Sequence, residues 1–282
     1  MTIVTTAPGA RVGYDEFGDP GAPPLVLIQG LSAQRLGWRP GFCQRLADAG
    51  FRVIRFDNRD VGESERYPDG GYRITDMAAD VAALLDALGI DTAHIIGQSM
   101  GGMIAQFVAE EHASRVRSLG LLYTAASTRH FIGADAVIER ADAAPTTREE
   151  FMAFYPASEA MCASTAYPQD VEWLSEVAGP IWDHGFDSEG VARQLQAILA
   201  FTDRLDEART IAAPTAIIAG DSDQLIDSAA SVELHQIIAG SSLRVFPGMG
   251  HELPEPLWDE IVEILASNAH AADARPLVTN TA

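Results

Sequence analysis

"HIIGQSMGGMIAQF", residues 94–107, begins as a buried strand and ends as an amphipathic helix. His94, Ile95 and Ile96 read as strand, whereas Met103, Ile104, Phe107 and the following Val108 share one face at helical spacing. Only Gly97-Gln98-Ser99-Met100-Gly101-Gly102 separates the two patterns. A chain that turns from strand to helix in so few residues strains the apex and brings backbones together, so side chains at the flanking positions would collide. "GQSMG" (97–101) fits G-x-S-x-G, in which the apex serine projects from the end of a sheet toward a cleft. Ser99 would also open a helix, where free N–H groups favour developing negative charge. Small-residue turns are common, so the pattern gains its meaning from the strand before it and the helix after it.

Working outward, short apolar runs alternate with helical patterns, which predicts an α/β fold with a largely parallel sheet between helices. "ARVGYDEFG" reads as an early strand, and "LVLIQ" (25–29) as a central strand buried on both faces. A helix is expected from Gly41 to Gly50, and "FRVIRFD" continues as a strand ending at Asp57. Residues 75–89 place Met77, Val81, Leu84, Leu85 and Leu88 on one helical face. Strands follow at "AHIIG" and "RSLGLLY" (117–123) and, after a long interval, at "PTAIIAG" (214–220) and "SLRVF" (242–246). Helices are expected near 227–239 and 254–268, and residues 271–282 read as a loose tail.

The interval 126–206 lacks strand alternation and reads as helical, with a break at "AAPTT". It holds nine of the chain's 21 aromatic residues. A small helical layer needs large side chains to build any core. The same aromatics would also suit a lid over a substrate pocket. Trp38, Phe154, Tyr155, Trp182, Phe186 and Leu225 are the candidate pocket residues.

All 19 basic residues of the 282-residue chain are arginine, which excludes a Walker-type phosphate lysine and a lysine Schiff base. The formal charge of −21 makes nucleic acid and anionic membranes poor partners. No apolar run approaches the roughly 18 to 20 residues of a membrane helix. The N-terminus has neither the basic start nor the apolar core of a signal peptide, so a cytoplasmic protein is expected. Cys43 and Cys162 match no metal or redox spacing and read as two buried thiols. "EEH" (110–112) and "HELPE" (251–255) hold metal-ligand residue types without a paired set, so no metal is expected.

A serine hydroxyl needs a base, usually a histidine oriented by a carboxylate. Of seven histidines, His94 lies within a strand, His112 closes a helix, His235 sits inside one, His130 and His184 fall in the helical interval, and His270 lies toward the tail. His251, in "FPGMGHELPEP", follows the last strand on a glycine-rich loop, at the sheet end where the Ser99 turn lies. Asp221 and Asp223 both follow the strand "AIIAG", and the residues alone do not separate them as the orienting acid. Whichever does not meet the histidine should cap the next helix or bond the loop backbone. Arg55, Asp57, Asn58, Arg59 and Asp60 form a polar cluster that is read as bracing for the surrounding loops.

With Ser99, an acid near 223 and His251 in that order, the chain resembles the α/β-hydrolase superfamily outside 126–206 and the tail. The resemblance implies an eight-stranded, mostly parallel sheet (1–125 and 207–270) with an inserted helical cap (126–206). It points to Asp223, three residues after Gly220, as the acid. It also implies an oxyanion hole from the backbone N–H groups of Met100 and Leu31, with Gln29 where the fold usually has histidine. Within the superfamily, "QGLSAQRLGW", "RFDNRDVGES", "GQSMGG" and "GMGHELP" are most similar to bacterial polyketide methylesterases of the aclacinomycin type. The implied activity is cofactor-free hydrolysis of a small-molecule hydrophobic ester, such as a methyl or polycyclic ester. Perhydrolysis or haloperoxidation, lactone cleavage, carbon–carbon hydrolysis and a non-catalytic receptor use the same scaffold. A homo-oligomer is compatible with the sequence.

Overall fold

The computed structural model describes residues 2–7 and 9–274. Eight strands form one sheet: β1 (Thr2–Thr5), β2 (Arg11–Phe17), β3 (Pro24–Ile28), β4 (Arg52–Phe56), β5 (Ala93–Gln98), β6 (Val116–Leu122), β7 (Thr215–Gly220) and β8 (Ser242–Phe246). Their spatial order is β1-β2-β4-β3-β5-β6-β7-β8. The pairs β1/β2 and β2/β4 are antiparallel and all others parallel. The continuous apolar run of β3 is explained by its place: Leu25 pairs with Val53 on one side and His94 on the other, and Leu25 to Ile28 have no solvent exposure. β1 has no counterpart in the sequence reading because it is four residues long and largely exposed, so no buried face imposes a pattern.

One face of the sheet is covered by α1 (Pro40–Asp48) and α10 (Trp258–Asp273), the other by α2 (Ile74–Ala87), α3 (Met100–Glu111) and α9 (Ala229–Ile237). Pro40 supplies the preset φ that suits a first helical position. In α2, Met77, Val81, Leu84 and Leu85 bury the face that their spacing predicts. Between β6 and β7 stand α4 (Ala134–Asp142), α5 (Arg148–Ser158), α6 (Val171–Asp183), α7 (Ser188–Leu199) and the short α8 (Leu205–Ala208). Among the described residues this segment adds no strand to the sheet, only an isolated bridge from Phe131 to Ile226.

The last helix starts later than expected and runs further. A 3-10 turn over Glu255–Leu257 precedes α10, where Pro254 and Pro256 delay regular helix. Residues 271–273, expected in a loose tail, belong to α10; residues 275–282 lie outside the described residues. His270 stacks on Phe51 at 4.8 Å and meets the Ala49 carbonyl at 3.1 Å, which anchors the helix end.

Candidate active site

Ser99 stands between β5 and α3 with φ 54° and ψ −123°, outside the regions that ordinary residues occupy. The turn is fixed by backbone bonds. Ser99 N–H donates to the Leu122 carbonyl at 3.0 Å, while its own carbonyl accepts from Gly102 N–H at 2.9 Å and Thr124 Oγ1 at 2.7 Å. The flanking glycines are required for space: a Cβ on Gly97 would lie 2.1 Å from the Gly101 carbonyl oxygen, and one on Gly101 2.2 Å from that of Ile28. Strain at the serine is therefore held by close packing of β3, β5 and α3.

His251 sits on the loop after β8, and its Nδ1 donates to Asp223 Oδ2 at 2.7 Å. The Asp223 side chain is almost wholly buried, and its other oxygen accepts from the N–H groups of Leu225 at 2.8 Å and Ile226 at 3.0 Å. Those bonds fix which carboxylate oxygen faces the imidazole. With Nδ1–H committed to Asp223, the Nε2 lone pair is the one left to take a proton. Asp221 has the other role expected: it accepts from Gly248 N–H at 2.6 Å and braces the loop that carries His251.

Ser99, His251, Leu31 and Met100 line one cavity that opens to solvent. Among the described residues no hydrogen bond joins the Ser99 hydroxyl to His251. Met100 is the first residue of α3, so its N–H has no partner within the helix. Leu31 follows Gly30 at the end of β3, where a Cβ on Gly30 would come within 3.2 Å of Ser99 Cβ. Gln29, in place of the usual histidine, has no solvent exposure. Its Oε1 accepts from Gln98 Nε2 at 2.5 Å, and Gln98 Oε1 accepts from the Tyr123 hydroxyl at 2.5 Å. The Tyr123 ring in turn packs 4.7 Å from His251. Burial holds the Tyr123 phenol well above its usual range, so it serves as a neutral donor.

A residue of the insertion that the sequence reading did not single out steadies the Leu31 loop. Gln194 of α7 is fully buried; its Oε1 accepts from Ser32 N–H at 3.0 Å and its Nε2 donates to the Arg59 carbonyl at 2.7 Å. Ser32 has φ 64°, so the residue after Leu31 is held in a left-handed conformation by a bond from another element. Helical periodicity carries no signal for this, because a polar residue amid an apolar face looks like a solvent position. The loop of His251 is clasped similarly: Gly250 N–H donates to Ser164 Oγ at 3.0 Å and Ser164 N–H to Glu252 Oε1 at 2.8 Å.

The polar cluster after β4 braces. Asp57 accepts from Arg35 N–H at 2.7 Å and from the Arg35 guanidinium, Asn58 Nδ2 donates to the Gln29 carbonyl at 2.9 Å, and Arg59 pairs with Asp80 at 2.6 Å. Asp60, fully buried, is bound by Arg193 at 2.9 Å; against the cost of burial, that bond holds its carboxyl below the usual range.

The expected pocket divides. Tyr155 and Leu225 line the cavity that holds Ser99, whereas Trp38 stacks on Phe42 and lines a neighbouring polar cleft. Phe154 and Phe186 border a separate small cavity. Trp182 lines none of the three and packs against Phe151 and Phe186 inside the insertion, so it is a core residue. The wall beside Ser99 is mainly aliphatic instead, with Val137 and Ile138 of α4 and Leu195, Ile198 and Leu199 of α7. Both cysteines are free: burial pushes the Cys43 thiol up to about 12, and burial, then Glu159, raises that of Cys162. Cys43 is buried as expected, whereas Cys162 is only partly buried and lines the Ser99 cavity; both thiols stay protonated at neutral pH. Among the described residues no helix is long and apolar enough to cross a membrane.

A strained serine between strand and helix, sharing a cavity with an Asp-paired histidine at the carboxyl ends of parallel strands, defines a protein class. A family model described as alpha/beta hydrolase fold matches residues 23–255, and the chain belongs to that family. Its relatives include RutD of Variovorax paradoxus strain S110, named for carbamate hydrolysis, which is 30% identical over 84% of this chain and 88% of its own length. The rhodomycin D methylesterase DauP of Streptomyces sp. strain C5 is 38% identical, over 43% of this chain and 41% of its own. Among solved structures, the enol-lactonase of Burkholderia xenovorans LB400 superposes with a TM-score of 0.73 at 27% identity, over 97% of this chain and all of that one.

Proposed function

We propose that this protein is a serine hydrolase of carboxylic esters that works through an acyl-enzyme. The observation that carries the reading is the 2.7 Å bond between His251 and Asp223, in a cavity that His251 shares with the strained Ser99. Ser99 Oγ attacks the ester carbonyl as His251 Nε2 takes its proton, and Asp223 steadies the imidazolium. The N–H groups of Leu31 and Met100 hold the oxyanion, each worth about 3 kcal/mol of barrier in comparable sites. Collapse expels the alcohol, protonated by His251, and a water activated by the same imidazole releases the acid.

The aliphatic wall of α4 and α7 favours a hydrophobic substrate, and the insertion serves as a cap that shapes its site. Similarity to a methylesterase supports a small alcohol as the leaving group. The test is hydrolysis of p-nitrophenyl esters across acyl chain lengths, with Ser99→Ala beside the wild type. Burst kinetics and turnover lost in the variant are expected. Turnover that survives in Ser99→Ala would overturn the mechanism, and tight ligand binding without turnover would identify a receptor.

A further inference from the structure

One charged pair lies in the otherwise mainly aliphatic cavity. Arg140 of α4 and Glu159, just past α5, meet at 2.5 Å, and each side chain is about one-fifth exposed. Val137, Ile138, Met161 and Ile181 line the same cavity. Arg140 Nη1 also reaches Ser32 Oγ at 3.4 Å, which places the pair on the side of the Leu31 loop. Arg140 Nε is buried without a partner among the described residues. Glu159 lines both the Ser99 cavity and the adjoining polar cleft.

A ligand that fills this cavity strips water from the pair, and an ion pair in apolar surroundings recovers that cost only through further hydrogen bonds. An alkyl group offers none. A carboxylate would meet the Glu159 charge. A hydroxyl accepts from the guanidinium and donates to the carboxylate, so it satisfies both partners. We propose that Arg140 and Glu159 form a specificity subsite for a neutral hydroxyl group on the part of the ester that occupies the cavity. This rests on the esterase reading and narrows its substrate class to hydroxylated hydrophobic esters. Burial and the nearby Glu159 raise the Tyr155 phenol as well, so its hydroxyl stays neutral.

The test measures binding to Ser99→Ala protein by calorimetry, with methyl 3-phenylpropanoate and its ortho, meta and para hydroxyphenyl counterparts. At least one hydroxylated ester should bind about tenfold more tightly than the parent. In the Arg140→Met/Glu159→Leu background that ratio should fall to near unity. Glu159→Gln alone, which leaves the guanidinium unpaired, should shift preference toward the carboxyphenyl ester. Equal affinities in the parent protein, or a hydroxyl preference that survives the double variant, would overturn the subsite. Hydrolysis of p-nitrophenyl acetate by the wild type, with Ser99→Ala beside it, separates the two readings. Ser99-dependent acetate turnover by the wild type, with flat binding ratios, removes the subsite and keeps the esterase. A hydroxyl preference in binding without acetate turnover removes the esterase.

Discussion

The sheet and the insertion between β6 and β7 hold their apolar residues differently. Leu25 to Ile28, Ile95 and Ile217 are wholly buried at the centre of the sheet. The insertion centres on Phe151, Ala178 and Ile181, and leaves Ile132, Val171 and Leu199 more than half exposed. Its helices are tied by surface pairs such as Arg148–Asp183, which add little net stability. The atoms proposed to do chemistry, on Ser99, Asp223 and His251, stand on loops of the rigid sheet, where small displacements are costly. The aliphatic walls of the cavity stand largely on the looser layer, which meets the loops of Leu31 and His251 only at particular residues such as Gln194 and Ser164.

The largest effect should come from the rigid side. Asp223→Asn removes the acceptor that sets the imidazole tautomer, and kcat for a p-nitrophenyl ester should fall by about three to four orders of magnitude with little change in KM. A loss below about tenfold would show that the 2.7 Å bond is not used in catalysis. Gln194→Leu tests the junction of the two regions. It leaves Ser32 N–H and the Arg59 carbonyl unpaired, so kcat should drop about tenfold while KM stays nearly constant, and unfolding stability should fall by about 1–3 kcal/mol. A change confined to KM would assign Gln194 to substrate contact instead.

Smaller again is the response of the α7 wall. Ile198→Trp should narrow the cavity, cutting kcat/KM for long acyl chains by about tenfold and sparing the acetyl ester. Loss on all chain lengths alike would mean that α7 supports the triad as well as the pocket. The mildest test lies far from the site. Burial lowers the His94 pKa to about 4, outweighing the attraction of Asp273. Its folded pKa lies below the ordinary 6.5, so the unfolded chain takes up a proton the folded one refuses. This group therefore lowers stability as pH falls from 6.5 to about 4, by at most ~1.4 kcal/mol per pH unit. His94→Gln should flatten that part of a thermal-melting profile; an unchanged slope would show that other groups dominate.

The same division governs how much could be read from sequence. The strand–serine–helix turn was legible because its backbone geometry admits few residue types at Gly97 and Gly101. His251 was legible by its place after the last strand. Asp221 and Asp223 were not separable from the residues, since both lie just past β7 and only the fold decides which turns to the imidazole. Aromatic residues drew attention to Trp182, but a thin helical layer uses its largest side chains for its own core. Val137 and Ile198, which do line the cavity, look like any core aliphatics. Arg140 and Glu159 are paired by the packing of separate elements, which no spacing rule anticipates.

The most direct test of the central claim is intact-protein and peptide mass spectrometry after reaction with a fluorophosphonate ester, which traps activated serines. The wild type should gain one adduct, on the peptide containing Ser99, and Ser99→Ala should gain none. An unlabelled wild type, or an adduct on Cys162 or any other side chain, would contradict a Ser99 acyl-enzyme.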